Sequence, residues 1–158
     1  MRVAILTISD SVSRGANKDS SGPALRERCA QRGWEIGAEA VLPDEPETIR
    51  DRLKFLADGG AADLILTTGG TGIGPRDSTP EATAQACEKL VPGLAELMRD
   101  EGRRKTPRAA LSRAVAGVRA RTLIVNLPGS PRGAVESLDA IADLLPHALA
   151  VLGGARHD

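Results

Sequence analysis

The chain has 158 residues, 41% of them hydrophobic, a length and composition that suit one compact domain with one aliphatic core over residues 1–158. Its 21 basic and 21 acidic side chains give a formal net charge of zero, and only 1% of its residues are aromatic. A neutral chain with so few rings has neither the charge that attracts nucleic acid or anionic membranes nor the stacking surfaces of single-strand binders, so neither partner is expected.

The first residues, Met1–Ile8, carry one charge followed by a short apolar run, which is typical of a buried strand rather than a signal peptide. No apolar stretch approaches the roughly 18 residues that a membrane helix needs. We therefore expect a cytoplasmic protein. Cys29 and Cys87 fall inside predicted helices without metal-ligand spacing, so they are expected to be small buried hydrophobes rather than zinc ligands or a disulfide.

Short aliphatic runs alternate with segments of helical period, a pattern that predicts βαβ units and a mainly parallel sheet with helices on both faces. Strands are predicted at Val3–Ile8, Ile36–Leu42, Leu64–Thr68 and Thr122–Leu127, with a further short strand at Val115–Val118 that pairs with the last. Helices are predicted at Ala24–Arg32, Pro46–Ala57, from Thr79 onward, Gly93–Asp100 and Arg132–Leu145, the last continuing to Leu152 with a bend at Pro146. The expected fold class is a three-layer α/β/α sandwich.

A glycine-rich loop over Thr68–Thr79 follows the third predicted strand and leads into a helix. Successive glycines let backbone N–H groups converge on an anion, and the positive end of the helix dipole adds to the attraction. A P-loop is excluded because Pro75 stands where the lysine would be, and a dinucleotide fingerprint fails because Pro75 also replaces its last glycine. The loop is either a phosphate cradle of another kind or a structural turn.

Arg76 and Asp77 end this loop and favour the phosphate interpretation. Mg²⁺ takes one or two carboxylates together with water and substrate phosphates, and arginine binds anions as a two-pronged donor. In the alternative interpretation, Asp77 caps the turn before Thr79 and Arg76 is a surface charge. Asp44 has a corresponding alternative as the N-cap of the helix that contains Glu47.

Two other loops follow predicted parallel strands, Ser9–Ser11 and Asn126–Ser130. Ligands of open α/β sheets bind outside the carboxyl ends of the strands, so these loops are expected near the glycine-rich loop. The strand ends then offer three carboxylates and a hydroxyl, which suits a magnesium nucleotide together with a phosphorylated substrate: Asp10, Asp44, Asp77 and Ser130.

Charge is segregated along the chain, because Arg99–Arg121 contains eight basic and two acidic residues, a net charge of 8 − 2 = +6. This segment either attracts anionic ligands and contributes Ser112 and Arg113 to the crevice, or forms a solvated basic face. His147 and His157 have no nucleophile in a recognisable arrangement, so no catalytic role is expected for either.

Several sequence blocks in this chain occur together in one order: Thr7–Ser11, Asp19–Gly22, Leu42–Glu45, Thr67–Thr83, Leu111–Arg113 and Asn126–Ser130. In that order they resemble the MogA/MoaB family of molybdenum cofactor biosynthesis proteins, which includes the G domain of gephyrin and its plant counterpart. The resemblance covers nearly the whole chain and is most specific around Gly69–Thr83.

This resemblance implies a molybdopterin-binding fold and a molybdopterin adenylyltransferase that uses ATP as co-substrate and Mg²⁺ as cofactor. It implies that Asp44 and Asp77 are the catalytic and metal-binding residues. By the same matching, Ser9 and Asp10 line the nucleotide side. The residues that would hold molybdopterin or its phosphate are Gly69, Gly70, Thr71, Gly72 and Ser130.

The resemblance also implies a homotrimer or a pair of trimers, with a molybdate-insertion protein of the same pathway as a partner. An alternative function is a molybdopterin carrier or scaffold without catalysis. The related molybdate-insertion domain is disfavoured, because its glycine block lacks the Thr-Gly-x-x-Pro-Arg-Asp sequence present at Thr71–Asp77.

Overall fold

The structure, a computed structural model, describes residues 1–156, so His157 lies outside the described residues. A six-stranded sheet runs through its middle. The strands are β1 (Arg2–Ile8), β2 (Glu35–Leu42), β3 (Leu64–Thr68), β4 (Lys89–Leu90), β5 (Ala116–Arg119) and β6 (Thr122–Leu127). Their order across the sheet is β2-β1-β3-β6-β5-β4.

The first four strands in this spatial order are mutually parallel, and β5 runs antiparallel to β6. The helices are α1 (Asp10–Ser13), α2 (Ser21–Gln31), α3 (Pro46–Asp58), α4 (Thr79–Ala86), α5 (Pro92–Arg103), α6 (Pro131–Ile141) and α7 (Leu145–Leu152). Two short 3₁₀ helices cover Pro107–Leu111 and Ala142–Leu144. The predicted α/β class, with helices flanking a mostly parallel sheet, is confirmed.

Two hydrophobic clusters pack against opposite faces of the sheet, because side chains alternate between faces along a strand. On one face, Val3 and Ile5 of β1 pack with α2, α5 and α6. On the other, Ala4, Leu6 and Ile8 pack with α3 and α4. Both faces of β1 and β3 are therefore buried, which explains why these strands appear in the sequence as continuous aliphatic runs.

The last helical segment differs from its prediction. A single helix with a bend at Pro146 was expected from Arg132 to Leu152, whereas the α-helix ends at Ile141 and a 3₁₀ turn precedes α7. Proline has no N–H and its ring clashes with the carbonyl four residues earlier, here that of Ala142. The break consequently falls before Pro146 rather than at it.

The cysteine prediction holds for one residue of the two. Cys29 is fully buried in α2, and burial raises the pKa of its thiol to about 11. Cys87 is half-buried and follows the last residue of α4 instead of lying inside the helix. Neither cysteine forms a disulfide. No helix over residues 1–156 has both the length and the apolar character that crossing a bilayer requires.

Candidate active site at the carboxyl edge of the sheet

The carboxyl ends of β1, β2, β3 and β6 meet at one edge of the sheet, as the parallel topology requires. The backbone joins neighbouring ends directly: Ser9 N–H donates to Leu42 C=O at 2.9 Å, and Gly69 N–H donates to Leu127 C=O at 3.1 Å. The predicted convergence of four strand-end loops is therefore what the fold produces.

Two glycines begin the glycine-rich loop in conformations that other residues rarely adopt. Gly69 has a φ of +104°, and a Cβ there would lie 2.2 Å from the Ile8 carbonyl oxygen. Gly70 has a φ of +68°, and a Cβ there would lie 2.3 Å from Thr79 Oγ1 and 2.9 Å from Asp44 Oδ1. The bare backbone of this loop thus lies against both the neighbouring strand and the Asp44 carboxylate.

Thr79 ties the start of the loop to its end. Its hydroxyl donates to Gly69 C=O at 3.0 Å, and its backbone N–H donates to Gly70 C=O at 3.1 Å. The N-cap position of α4 belongs to Ser78, whose hydroxyl is buried without a hydrogen-bond partner among the described residues. Thr79 is occupied with the loop instead.

Asp10 and Asp44 bind each other's backbone. Asp10 N–H donates to Asp44 Oδ2 at 3.0 Å, and Asp44 N–H donates to Asp10 Oδ1 at 2.9 Å. Helix α3 has Glu45 at its N-cap position, so Asp44 is not the cap that the alternative interpretation required. The two carboxylates lie side by side because the ends of adjacent strands are linked.

Arg76 gives Asp10 and Asp44 different electrostatic surroundings. Its guanidinium bonds to both oxygens of Asp10, at 3.0 and 3.2 Å, and holds the pKa of Asp10 below its ordinary value. Burial raises the pKa of Asp44, and the negative charges of Asp10 and Asp77 act in the same direction. The carboxylate of Asp10 is thus neutralised by an arginine, whereas that of Asp44 is desolvated.

Asp77 lies opposite Asp44 at the far end of the loop. Its Oδ2 accepts from Gly74 N–H at 2.9 Å, so it fixes the turn as the alternative interpretation proposed. Over residues 1–156, neither Asp77 nor Asp44 forms an ion pair with a lysine or arginine, and no three potential ligands cluster closely enough to hold a metal alone. Two carboxylates without ion-pair partners fit Mg²⁺ that shares its ligands with a phosphate.

A cavity of about 230 Å³, here called the acidic cavity, opens between these residues. Ser9, Asp44, Gly69, Gly70 and Asp77 line it together with Lys18–Ser21. Asp19 holds this wall in place, because it accepts from the Thr7 hydroxyl at 2.8 Å and from Gly22 N–H at 3.1 Å. Its position was signalled only by the Asp19–Gly22 block, to which sequence reasoning gave no role.

A second cavity of about 440 Å³, here called the α5 cavity, adjoins the first. Gly129 lines both, and a Cβ on it would lie 3.3 Å from Gly69 Cα, so the wall between the cavities is backbone. The predicted molybdopterin residues divide between them, with Gly69 and Gly70 on the acidic cavity and Thr71, Gly72 and Ser130 on the α5 cavity. Helix α5 supplies Met98, which no sequence pattern indicated, and Arg99, the first residue of the basic segment.

Two predicted site hydroxyls also cap helices. Ser9 Oγ accepts from Val12 N–H at 3.2 Å and Ser130 Oγ accepts from Gly133 N–H at 3.1 Å. Ser130 Oγ keeps its own hydrogen for a further acceptor, since an oxygen that accepts at a cap can still donate. Ser9 Oγ also lies 3.2 Å from Ser11 Oγ, and either hydroxyl can be the donor of that bond.

The basic segment Arg99–Arg121 is divided between the two edges of the sheet. Arg113 reaches the glycine-rich loop, whereas Arg119 pairs with Asp58 and Arg121 donates to Gly153 C=O. Arg119 is the last residue of β5 and lies beside Thr122, the first of β6, so it stands at the amino edge. The segment is therefore neither wholly an anion-attracting face nor wholly a solvated one.

Comparison with known proteins identifies the family. A model described as a probable molybdopterin binding domain matches residues 4–147. The molybdopterin adenylyltransferase of Helicobacter pylori strain J99 is 38% identical over 157 residues, which cover 98% of this chain and 89% of that one. The Escherichia coli K12 protein of the same name is 38% identical over 146 residues, covering 90% and 74% respectively.

Among solved structures, that of the molybdopterin biosynthesis enzyme MoaB from Thermus thermophilus superposes with a TM-score of 0.91. It is 55% identical to this chain, and the match covers 99% of both chains. The resemblance carried by the sequence blocks is thereby confirmed over almost the full length. The chain belongs to the MogA/MoaB family of molybdopterin-binding proteins, which acts in molybdenum cofactor biosynthesis.

Proposed function

We propose that this protein is a molybdopterin adenylyltransferase. One observation carries the proposal: Asp44 and Asp77 lie on separate strand-end loops, without ion-pair partners among residues 1–156, beside a bare glycine backbone. Relatives with that name at 38% identity support the same activity. In the transfer, the terminal phosphate of molybdopterin attacks the α-phosphorus of ATP, a new P–O bond forms, and pyrophosphate leaves with the electrons of the broken bond.

Phosphate transfer requires mainly positioning and neutralisation of charge, with little covalent chemistry from the protein. Asp44 and Asp77 would hold Mg²⁺, which when bound neutralises phosphate charge. Gly69 and Gly70 would let phosphate oxygens approach the backbone closely. The nucleotide would occupy the acidic cavity beside Ser9, whereas Asp10, whose carboxylate is paired with Arg76, lies next to Asp44 and does not itself line the cavity.

The α5 cavity would hold the pterin end of the substrate. Met98 and Ala95 give it an apolar wall, and Arg99 and Arg108 add positive charge. Glu101 and Glu136 also line it, Glu136 in an ion pair with Lys105, and Ser130 lies at its margin. An amphipathic ligand with a phosphate suits this combination of walls. A homotrimer or hexamer, a molybdate-insertion partner and a cytoplasmic location stay predictions from the family.

The test is pyrophosphate release from purified protein supplied with molybdopterin, ATP and Mg²⁺. Release that requires all three components, and is lost in Asp77→Asn, is the expected result. A matched control is Asp58→Asn, which changes an aspartate at the opposite edge of the sheet and should leave release unchanged. Molybdopterin binding without any release would contradict the proposal and favour the carrier function, for which the α5 cavity alone would suffice.

A further inference from the structure

Arg113 makes three hydrogen bonds to the glycine-rich loop and one to helix α4. Its Nε donates to Gly72 C=O at 2.7 Å and one terminal nitrogen donates to Asp77 C=O at 2.9 Å. The other terminal nitrogen binds the Glu81 carboxylate, and the backbone N–H of Arg113 donates to Thr71 C=O at 2.8 Å. Arg113 thus contacts both ends of the exposed part of the loop, and it also contacts the helix that follows the loop.

The planar guanidinium is suited to this task because its donors point in fixed directions. Gly72 and Asp77 are separated by the exposed tip of the loop, whose few internal bonds include those between Gly74 and Asp77. The fork of Arg113 therefore joins the two limbs of a segment that its own backbone joins only weakly.

We propose that Arg113 is a positioning residue, which sets the distance between the two limbs of the glycine-rich loop and thereby the place of Asp77. It acts through Asp77 and not through the substrate. Because Arg113 also follows the 3₁₀ helix Pro107–Leu111, which lines the α5 cavity, it connects the walls of both cavities. The rate effects below rest on the proposed adenylyl transfer, whereas the effect on the loop does not.

Arg113→Lys is the primary test, since lysine keeps the charge but cannot bond to three acceptors in a plane. We expect kcat to fall about 10- to 100-fold, the scale associated with misplacing a reacting group by about 1 Å. The Mg²⁺ concentration for half-maximal rate should rise, while KM for molybdopterin should change by less than about threefold, since this substrate is proposed to bind mainly in the α5 cavity. Loss of folded protein alone would leave the Mg²⁺ dependence unchanged.

Arg119→Lys is the matched control. Arg119 also holds a carboxylate, that of Asp58, with two bonds of 2.9 Å, and a backbone carbonyl, that of Ala86, at 3.1 Å, but it does so at the amino edge. It should lose thermal stability to a similar degree and keep its kcat and Mg²⁺ dependence. An equal fall of kcat in both variants, or none in Arg113→Lys, would overturn the proposal.

Two further measurements keep the inference testable if Arg113→Lys folds poorly or if the wild-type protein makes no product. Glu81→Gln removes the charge from one of the three acceptors and should give a smaller fall in kcat in the same direction. Amide hydrogen exchange over residues 70–77, measured without substrates, should be faster in Arg113→Lys than in Arg119→Lys. Equal exchange in these two variants would refute the positioning role, whatever reaction the protein catalyses.

Discussion

The carboxyl and amino edges of the sheet have similar features, but their aspartates differ in whether they are paired with arginine. The amino edge has the larger cavity, about 690 Å³, a glycine at positive φ and an arginine fork. Its aspartates are paired with arginines, Asp58 with Arg119 and Asp63 with Arg2. At the carboxyl edge, Asp44 and Asp77 are left without such partners among residues 1–156. Cavity volume therefore does not identify the candidate site, whereas unneutralised carboxylates do.

The largest expected difference between the edges is in catalysis. Asp77→Asn should lower adenylyl transfer by about 100-fold or more, the scale associated with removing one preorganised electrostatic contact to the reacting groups. The variant should remain folded, because an amide oxygen can still accept from Gly74 N–H. Initial rates of pyrophosphate release measure the effect, and a variant with full activity would remove Asp77 from the metal site.

Glycine-to-alanine substitutions at the two edges should separate the cost of a positive φ from the cost of a steric clash of the new Cβ. Gly69→Ala combines a positive φ with a Cβ 2.2 Å from a backbone oxygen, so we expect a loss of at least about 2 kcal/mol in the free energy of unfolding. Gly60→Ala also has a positive φ, but no atom would lie within 4 Å of the new Cβ, and about 1 kcal/mol is expected. Urea unfolding of both variants measures the difference; equal losses would mean that the close approach at Gly69 relaxes freely.

The aspartates at the two edges should also change the stability of the fold with pH in opposite directions. The pKa of Asp44 is raised by burial from its ordinary 3.8. The favourable contribution of Asp44 to the stability of the fold is therefore present below pH 3.8 and is lost as pH rises through the raised pKa. Asp44→Asn should therefore unfold at a higher temperature than wild type at pH 7 while losing activity. The difference in melting temperature should shrink as the pH is lowered towards about 4.

Asp58 should behave in the opposite way. The hydrogen bond with Arg119 lowers the pKa of Asp58 from 3.8. The contribution of Asp58 to the stability of the fold is therefore present above pH 3.8 and is lost as pH falls through the lowered pKa. Asp58→Asn should melt below wild type at pH 7 and retain its activity. Melting temperatures that move in the same direction for both variants would contradict the proposed contrast.

The smallest expected effect concerns the basic wall of the α5 cavity. Arg108 is exposed, so Arg108→Gln should weaken binding of the phosphorylated substrate only about two- to fivefold. The effect should diminish with added salt, because exposed charges are screened. Titration of molybdopterin at low and high ionic strength measures it; a loss that salt does not change would indicate a direct contact instead of a general attraction.

The sequence predicted the buried strands well because each is a continuous aliphatic run, and the bounds of β3 and β6 agree with the structure to the residue. It missed β4, since two residues make no pattern. Among site residues, the structure brings Asp44 beside Asp10 across 34 positions and Arg76 beside Asp10 across 66. The parallel topology predicted that these loops would meet at one edge, but the individual hydrogen-bond partners depend on packing and leave no local periodicity.

The contact between Gly69 and Gly129, which separates the two cavities with backbone alone, bears on how the protein can evolve. A Cβ on Gly69 would lie 2.2 Å from the Ile8 carbonyl oxygen and would displace that strand end, and a Cβ on Gly129 would require Gly69 to move by a few tenths of an ångström, so this wall leaves little room for side chains. The outer walls formed by α5 and the 3₁₀ helix Pro107–Leu111 consist of side chains that can be exchanged singly. Within the family, differences in ligand preference should therefore accumulate on those outer walls, while the backbone wall between the two cavities stays unchanged.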